Sequence, residues 1–275
     1  MTVTNAVETT MIWGTVSGAS MVGMVISLLL SVVLPIFLGI FIYKKTKAWV
    51  PAFFIGCGIF VGFAMILEQI CHAIVLTVTG SAIRDNIWLY AIYGGLAAAL
   101  FEECGRWIAM KFCLKKHLTR ENALMYGAGH GGIEAFLILG MSSMSNLLTA
   151  AMINGGLMEK TMTALEPAQQ EVTYHQLSVL WTTPAYQFYL APVERISAIA
   201  LQIALSILVY SAVKTGRNLQ LAAAFGLHFA VDFLTVVCAS TIPTWALELG
   251  LLLVVAVICV VVYKLVYLSL AEKKA

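Results

Sequence analysis

Residues 99 to 110 read ALFEECGRWIAM, an apolar stretch carrying Glu102, Glu103 and Arg106. At helical spacing Glu102 and Arg106 are four apart and Glu103 and Arg106 three apart, so both carboxylates neighbour the guanidinium on one helix surface. Two further apolar stretches repeat the device: YGAGHGGIEAF sets His130 four residues before Glu134, and GLHFAVDF sets His228 four before Asp232. A charged group at the centre of a bilayer costs about 2.5–3.5 kcal/mol on insertion scales, so such residues need both partners and a reason to be there. Acids, imidazoles and a guanidinium together suit activation of water for hydrolysis. A desolvated carboxylate takes the proton of the attacking water, and an imidazole stabilises an oxyanion or holds a metal.

These residues can act together only if they lie at one depth. Glu102 is 9 residues from Lys111, His130 is 10 from Arg120 and His228 is 11 from Arg217. At 1.5 Å per residue all three lie about 13–17 Å below the nearest cations. One polar cluster is therefore expected, lined by the third, fourth and sixth spans. Gly127, Gly129, Gly131 and Gly132 around His130 allow close helix approach there. A second, outer set comprises Glu68 with His72 and Glu194 with Arg195, read as helix-end anchors or an outer vestibule. Glu248, Asp85 and His117 fall in or near connectors, and His175 is expected to be solvated.

The elements that must position the cluster follow from composition. The 275 residues are 61% hydrophobic and 11% charged, with mean hydropathy +0.92, against about 25% charged in an ordinary soluble domain. Apolar runs at 17–43, 49–78, 86–113, 121–154, 185–213, 218–239 and 243–268 predict seven membrane-spanning helices, an all-α polytopic membrane protein forming one domain over 1–275. The fourth run is too long for one straight span, and the small, polar segment GMSSMSN (140–146) predicts a kink or break. The 155–184 connector predicts two short interfacial helices on the outer face, separated at Pro167. Lys44, Lys45, Lys47, Lys111, Lys115, Lys116, Arg120, Lys214, Arg217, Lys264, Lys273 and Lys274 fall in alternate connectors or at the C-terminus. This predicts an outer N-terminus, read as a short polar leader without a signal peptide, and a cytoplasmic C-terminus.

A net charge of +2 and the lack of a long basic segment exclude nucleic acid as a partner. The six cysteines, all in apolar segments and without CxxC spacing, read as small buried hydrophobes.

EECGR, GHGGIE and HFAVD on successive polar helices resemble the YhfC-type intramembrane peptidases, related to the CAAX-protease and bacteriocin-processing (CPBP) group and to PrsW. The wider pattern is a Glu pair with a following Arg, an aromatic four residues before a His, and a His four residues before Asn or Asp. Here these are Glu102, Glu103 and Arg106, then Tyr126 and His130, then His228 and Asp232. Arg106 lies one residue closer than in the CPBP pattern. The resemblance implies that Glu102 activates water, that Glu103 and Arg106 support it, and that His130, His228 and Asp232 bind the oxyanion or a metal, with Glu134 and Tyr126 behind them. It also implies a bacterial plasma membrane. A zinc reading uses His130, His228 and Glu103 as ligands, whereas a metal-free reading leaves the chemistry to glutamate, and both stand at this point.

The expected function is an intramembrane endopeptidase acting on a membrane-borne or lipidated protein near its cytoplasmic side. Two other classes compete: a proton-coupled transporter or channel, for which the outer set would continue the path, and a non-catalytic membrane scaffold.

Overall fold

The computed structural model describes residues 11–270. The N-terminal leader up to residue 10 and Lys273 and Lys274 lie outside the described residues. Seven helices among those described are long and apolar enough to cross a membrane: α1 (Gly18–Thr46), α2 (Pro51–Thr79), α3 (Ile87–Cys113), α4 (Arg120–Asn154), α7 (Ala185–Thr215), α8 (Asn218–Ala239) and α9 (Thr244–Tyr267). Between α4 and α7 lie the short helices α5 (Leu157–Met162) and α6 (Pro167–Thr182). No strand occurs among the described residues, and the chain is an all-α, multi-pass membrane protein.

Polar side chains start several of these helices. Ser17, Asn86 and Thr119 each accept a bond from a backbone N–H in the first turn of the helix they precede, satisfying donors that would otherwise lack partners. Pro167 opens α6, where its missing N–H costs nothing. The kink expected at 140–146 takes another form. Helix α4 runs through that segment unbroken, and the irregularity is a π-helical turn at Phe136–Gly140 just before it. Wide turns of this kind let a long helix bend without losing its hydrogen bonds.

Helix α7 is the centre of the bundle: 72% of its most apolar window is buried, against 11% for α9. It packs against α1, α3, α4, α8 and α9, while α2 packs on α4 and α3 on α8. The first half of α4 is wedged between α2 and α7, and its glycines make this approach possible. A Cβ on Gly129 would stand 1.9 Å from the Phe53 carbonyl oxygen, and one on Gly127 would stand 2.7 Å from Ile203 Cα. Dispersion between closely approached backbones, together with polar contacts, takes the role that water exclusion has in soluble bundles. The outward faces are apolar, with Leu29, Phe37, Leu253 and Val257 exposed.

Candidate functional site

The wedge of α4 carries His130, wholly buried, against the face of α3 that bears Glu102, Glu103 and Arg106. His130 Nε2 lies 2.9 Å from Glu102 Oε2, and its Nδ1 lies 3.4 Å from the Tyr126 hydroxyl. An ionised carboxylate only accepts hydrogen bonds, so the network assigns the proton to Nε2 and leaves Nδ1 to accept from Tyr126. The Arg106 Nη2 nitrogen, 3.5 Å from the same Nε2, is then a close neighbour and not its bonding partner.

Helix α8 supplies the other half. His228 Nδ1 lies 2.9 Å from Glu103 Oε1, and Nε2 faces Asp232 Oδ2 at 3.6 Å. Arg106 binds both carboxylates, with Nε 3.3 Å from Glu103 Oε2 and Nη2 3.9 Å from Glu102 Oε2. Neither the Arg106 Nε nor Glu103 Oε2 makes an aligned hydrogen bond, so this contact is purely ionic. Sequence spacing thus located six residues that the fold brings together, as two crossed glutamate–histidine pairs around one guanidinium.

The residue that joins them was not among the sequence candidates. Gln202 on α7 donates through Nε2 to Glu102 Oε2 at 2.9 Å and to Glu134 Oε2 at 2.8 Å. Its side-chain oxygen accepts from Arg106 Nη2, and its backbone carbonyl accepts from Arg106 Nη1 at 2.7 Å. Ser206 Oγ, one turn on, accepts from Nη1 at 3.0 Å. A neutral amide in an apolar helix was the available signal, and a search confined to ionisable residues passes over it.

A cavity of about 340 Å3 begins at Glu102, Gln202, His228 and Asp232 and runs between α3, α4, α7, α8 and α9 to Tyr90, Glu194 and Val236. Those last residues lie toward the connectors 80–86, 183–184 and 240–243, so the cavity extends away from the lysine-rich connectors even though the glutamate–histidine pairs sit nearer to them. His130 does not line it, whereas His228 does. Glu102 Oε2 is fixed by His130 and Gln202, while among the described residues no hydrogen bond holds Oε1. The carboxylate therefore has one anchored oxygen and one that no described residue holds.

The outer set divides. Glu194 and Arg195 line the cavity, and Arg195 Nη1 donates to Glu134 Oε1 at 3.1 Å, tying this end to Gln202 and the polar cluster. Glu68 and His72 do not line it: they pair at 3.2 Å, and His72 Nδ1 lies 2.7 Å from the Tyr93 hydroxyl. Glu248 lies near the 240–243 connector, in the first turns of α9, and is a buried carboxylate there.

The donor chemistry of two imidazoles and several carboxylates suits zinc, but the arrangement does not. Among the described residues no three His, Cys, Asp or Glu side chains converge as a ligand group. His130, His228 and Glu103 are instead engaged with separate partners, and the Arg106 guanidinium stands beside the imidazole nitrogen that a cation would need. A second positive charge there would meet Coulomb repulsion in a medium of low polarity.

Residues 30–259 match the family described as YhfC intramembrane metalloprotease. The chain is also 41% identical over 222 residues, 78% of its own length and 83% of the relative's, to a Bacillus subtilis (strain 168) protein named uncharacterized membrane protein YhfC. No solved structure matches.

Proposed function

The chain belongs to the YhfC intramembrane metalloprotease family, and from that premise we propose that it is a membrane-embedded endopeptidase whose attacking water is activated by Glu102. The observation that carries the proposal is the asymmetric anchoring of that carboxylate at the inner end of a cavity large enough for a peptide segment. Glu102 Oε1 takes a proton from a water as its oxygen bonds to the scissile carbonyl carbon. The carbonyl π electrons move to oxygen, where His228, as an imidazolium that donates from Nδ1 to Glu103, donates from Nε2 with Asp232 beside it. Glu102 then returns the proton to the leaving nitrogen as the C–N bond breaks. His130, Gln202 and Arg106 position Glu102, and Glu103 orients His228.

The family description names a metal. The paired arrangement of the donors and the adjacent guanidinium do not fit one, and each step above uses only the chain's own groups. The substrate class is a membrane-borne or lipidated protein, met in the bacterial plasma membrane with the lysine-rich connectors cytoplasmic. Because the cavity runs the other way, the substrate enters from the end bearing α5 and α6.

The test is cleavage of a pool of synthetic transmembrane and prenylated peptides in liposomes, in 18O-labelled water. The wild type is expected to generate new termini whose carboxyl groups carry the label. Glu102→Gln should lose this by about 10²–10⁴-fold, the usual contribution of a positioned general base. Equal cleavage by a folded Glu102→Gln protein contradicts the assignment.

A further inference from the structure

Away from the polar cluster, a groove runs along the outer surface of the bundle between α1, α2 and α4. Its wider part, about 420 Å3, is lined by Ile36, Ile40 and Tyr43 of α1, Phe53 and Phe54 of α2 and Met125 of α4. A narrower part, about 170 Å3, shares Ile36 and Phe53 with it and continues to Ser31 on α1 and to Gly132 and Phe136 on α4. From Tyr43 back to Ser31 the helix covers about 18 Å. The hydrocarbon of one leaflet is half of about 30 Å, so the groove has the length of a single lipid tail. Its polar wall atoms are satisfied internally: Ser31 Oγ donates to the Leu28 carbonyl at 2.8 Å, and Cys57 Sγ to that of Gly129 at 3.2 Å.

One end of the groove carries cations. Lys44 follows Ile40 and Lys47 follows Tyr43, each by four residues, which sets both over the groove on one helix stripe. Lys47 Nζ lies 5.3 Å from the centre of the Tyr43 ring. Lys47 also has φ 57°, the only positive φ outside glycine among the described residues, so a lysine stands against backbone strain where glycine is the usual residue. Trp49 stacks on His117 with ring centroids 4.1 Å apart, which brings the connector bearing Lys115 and Lys116 alongside. No carboxylate balances this charge: residues 11–67 and 104–120 contain no Asp or Glu, and Glu121 is bonded by Arg120 at 2.8 Å. Among the described residues neither Lys44 nor Lys47 forms an ion pair.

An apolar groove of one tail's length, ending under ammonium groups that lack carboxylate partners, is complementary to one class of molecule. We propose that it binds one anionic phospholipid of the leaflet on the lysine-rich side, with the phosphate between Lys44 and Lys47 and an acyl chain laid from Tyr43 to Ser31. Lysines at the level of the headgroups attract anionic lipid electrostatically. The tail packs on Gly132 and Phe136, just beyond His130 on α4, and so supports the outer side of the wedge that holds that imidazole. The inference stands independently of the peptidase reading.

The experiment uses the full chain in detergent, stripped of lipid and titrated with phosphatidylglycerol or phosphatidylcholine of the same acyl chains. Bound lipid is counted by native mass spectrometry and stability followed by thermal shift. One phosphatidylglycerol per chain is expected to bind about tenfold more tightly than phosphatidylcholine, through two lysines at the headgroup. It should also raise the thermal midpoint, and added salt should narrow the difference between the lipids. In the double variant Lys44→Gln, Lys47→Gln the two lipids should bind alike, whereas Lys264→Gln, off the groove, keeps the preference. Ile40→Trp fills the groove from a position that is 51% exposed, so it should abolish the one-per-chain binding of both lipids while the protein stays folded. Equal binding of the two lipids by the wild type overturns the site. So does a preference that survives the double variant, or binding that survives Ile40→Trp. Displacement of phosphatidylglycerol by an equal concentration of a prenylated peptide gives the groove to a lipidated protein and overturns the phospholipid assignment.

Discussion

Gln202 shows what a neutral residue can decide in a cluster of charges. It bonds to Arg106, Glu102 and Glu134, so its loss would leave three buried ionic groups short of partners. Hydrogen bonds to charged groups contribute about 1.5–3 kcal/mol each, and Gln202→Leu is therefore expected to lower stability by on the order of 3 kcal/mol or more. A thermal-shift measurement in detergent should show a clearly lower midpoint, and the same variant should lose most of its cleavage activity because Glu102 is no longer held. An unchanged midpoint would mean the amide is not the hub described above. The ionisable members were legible from the sequence because their cost in lipid makes them conspicuous. Gln202 was not, since a lone amide carries no such signal and its partners are 68 to 100 residues away in sequence. The burial of Glu248 was not legible for a related reason: proximity to a connector does not reveal which way a helix turns its side chain.

At the scale of elements, the placement of His130 depends on how closely α4 approaches α2 and α7. Gly129 has no room for a methyl group beside the Phe53 carbonyl, whereas Gly58 on α2 has nothing within 4 Å of the position a Cβ would take. Gly129→Ala must push the two helices apart, at a cost of about 1–3 kcal/mol for overpacking. Gly58→Ala should be neutral or slightly stabilising through helix propensity. Comparing the two variants by thermal shift and by elution profile checks the close approach itself, and equal behaviour would contradict it. The number and placement of the spans were legible from hydropathy to within a few residues, as for α8, read as 218–239 and found at Asn218–Ala239. The π-helical turn at Phe136–Gly140 was not, because FLILG is an ordinary apolar sequence and the widening is set by packing.

At the scale of the whole molecule, the even alternation of seven spans puts connectors 47–50, 114–119 and 216–217 on one side and 80–86, 155–184 and 240–243 on the other. The cations cluster on the first side, which the positive-inside tendency predicts to be cytoplasmic. Single cysteines at Ser81 and Lys116, in an otherwise cysteine-free chain, are expected to react with an impermeant reagent from outside and only after permeabilisation, respectively; the reverse pattern would invert the orientation and with it the side from which substrate enters. The family is described as intramembrane metalloprotease, whereas the chemistry proposed above rests on carboxylates and imidazoles. The most direct measurement is cleavage of the transmembrane peptide pool by wild type and Glu102→Gln protein in excess chelator, with metal content determined on the same samples. The wild type, free of stoichiometric metal, is expected still to cleave, and Glu102→Gln is not. Activity lost on chelation and restored by zinc, or cleavage that survives the loss of Glu102, would contradict it.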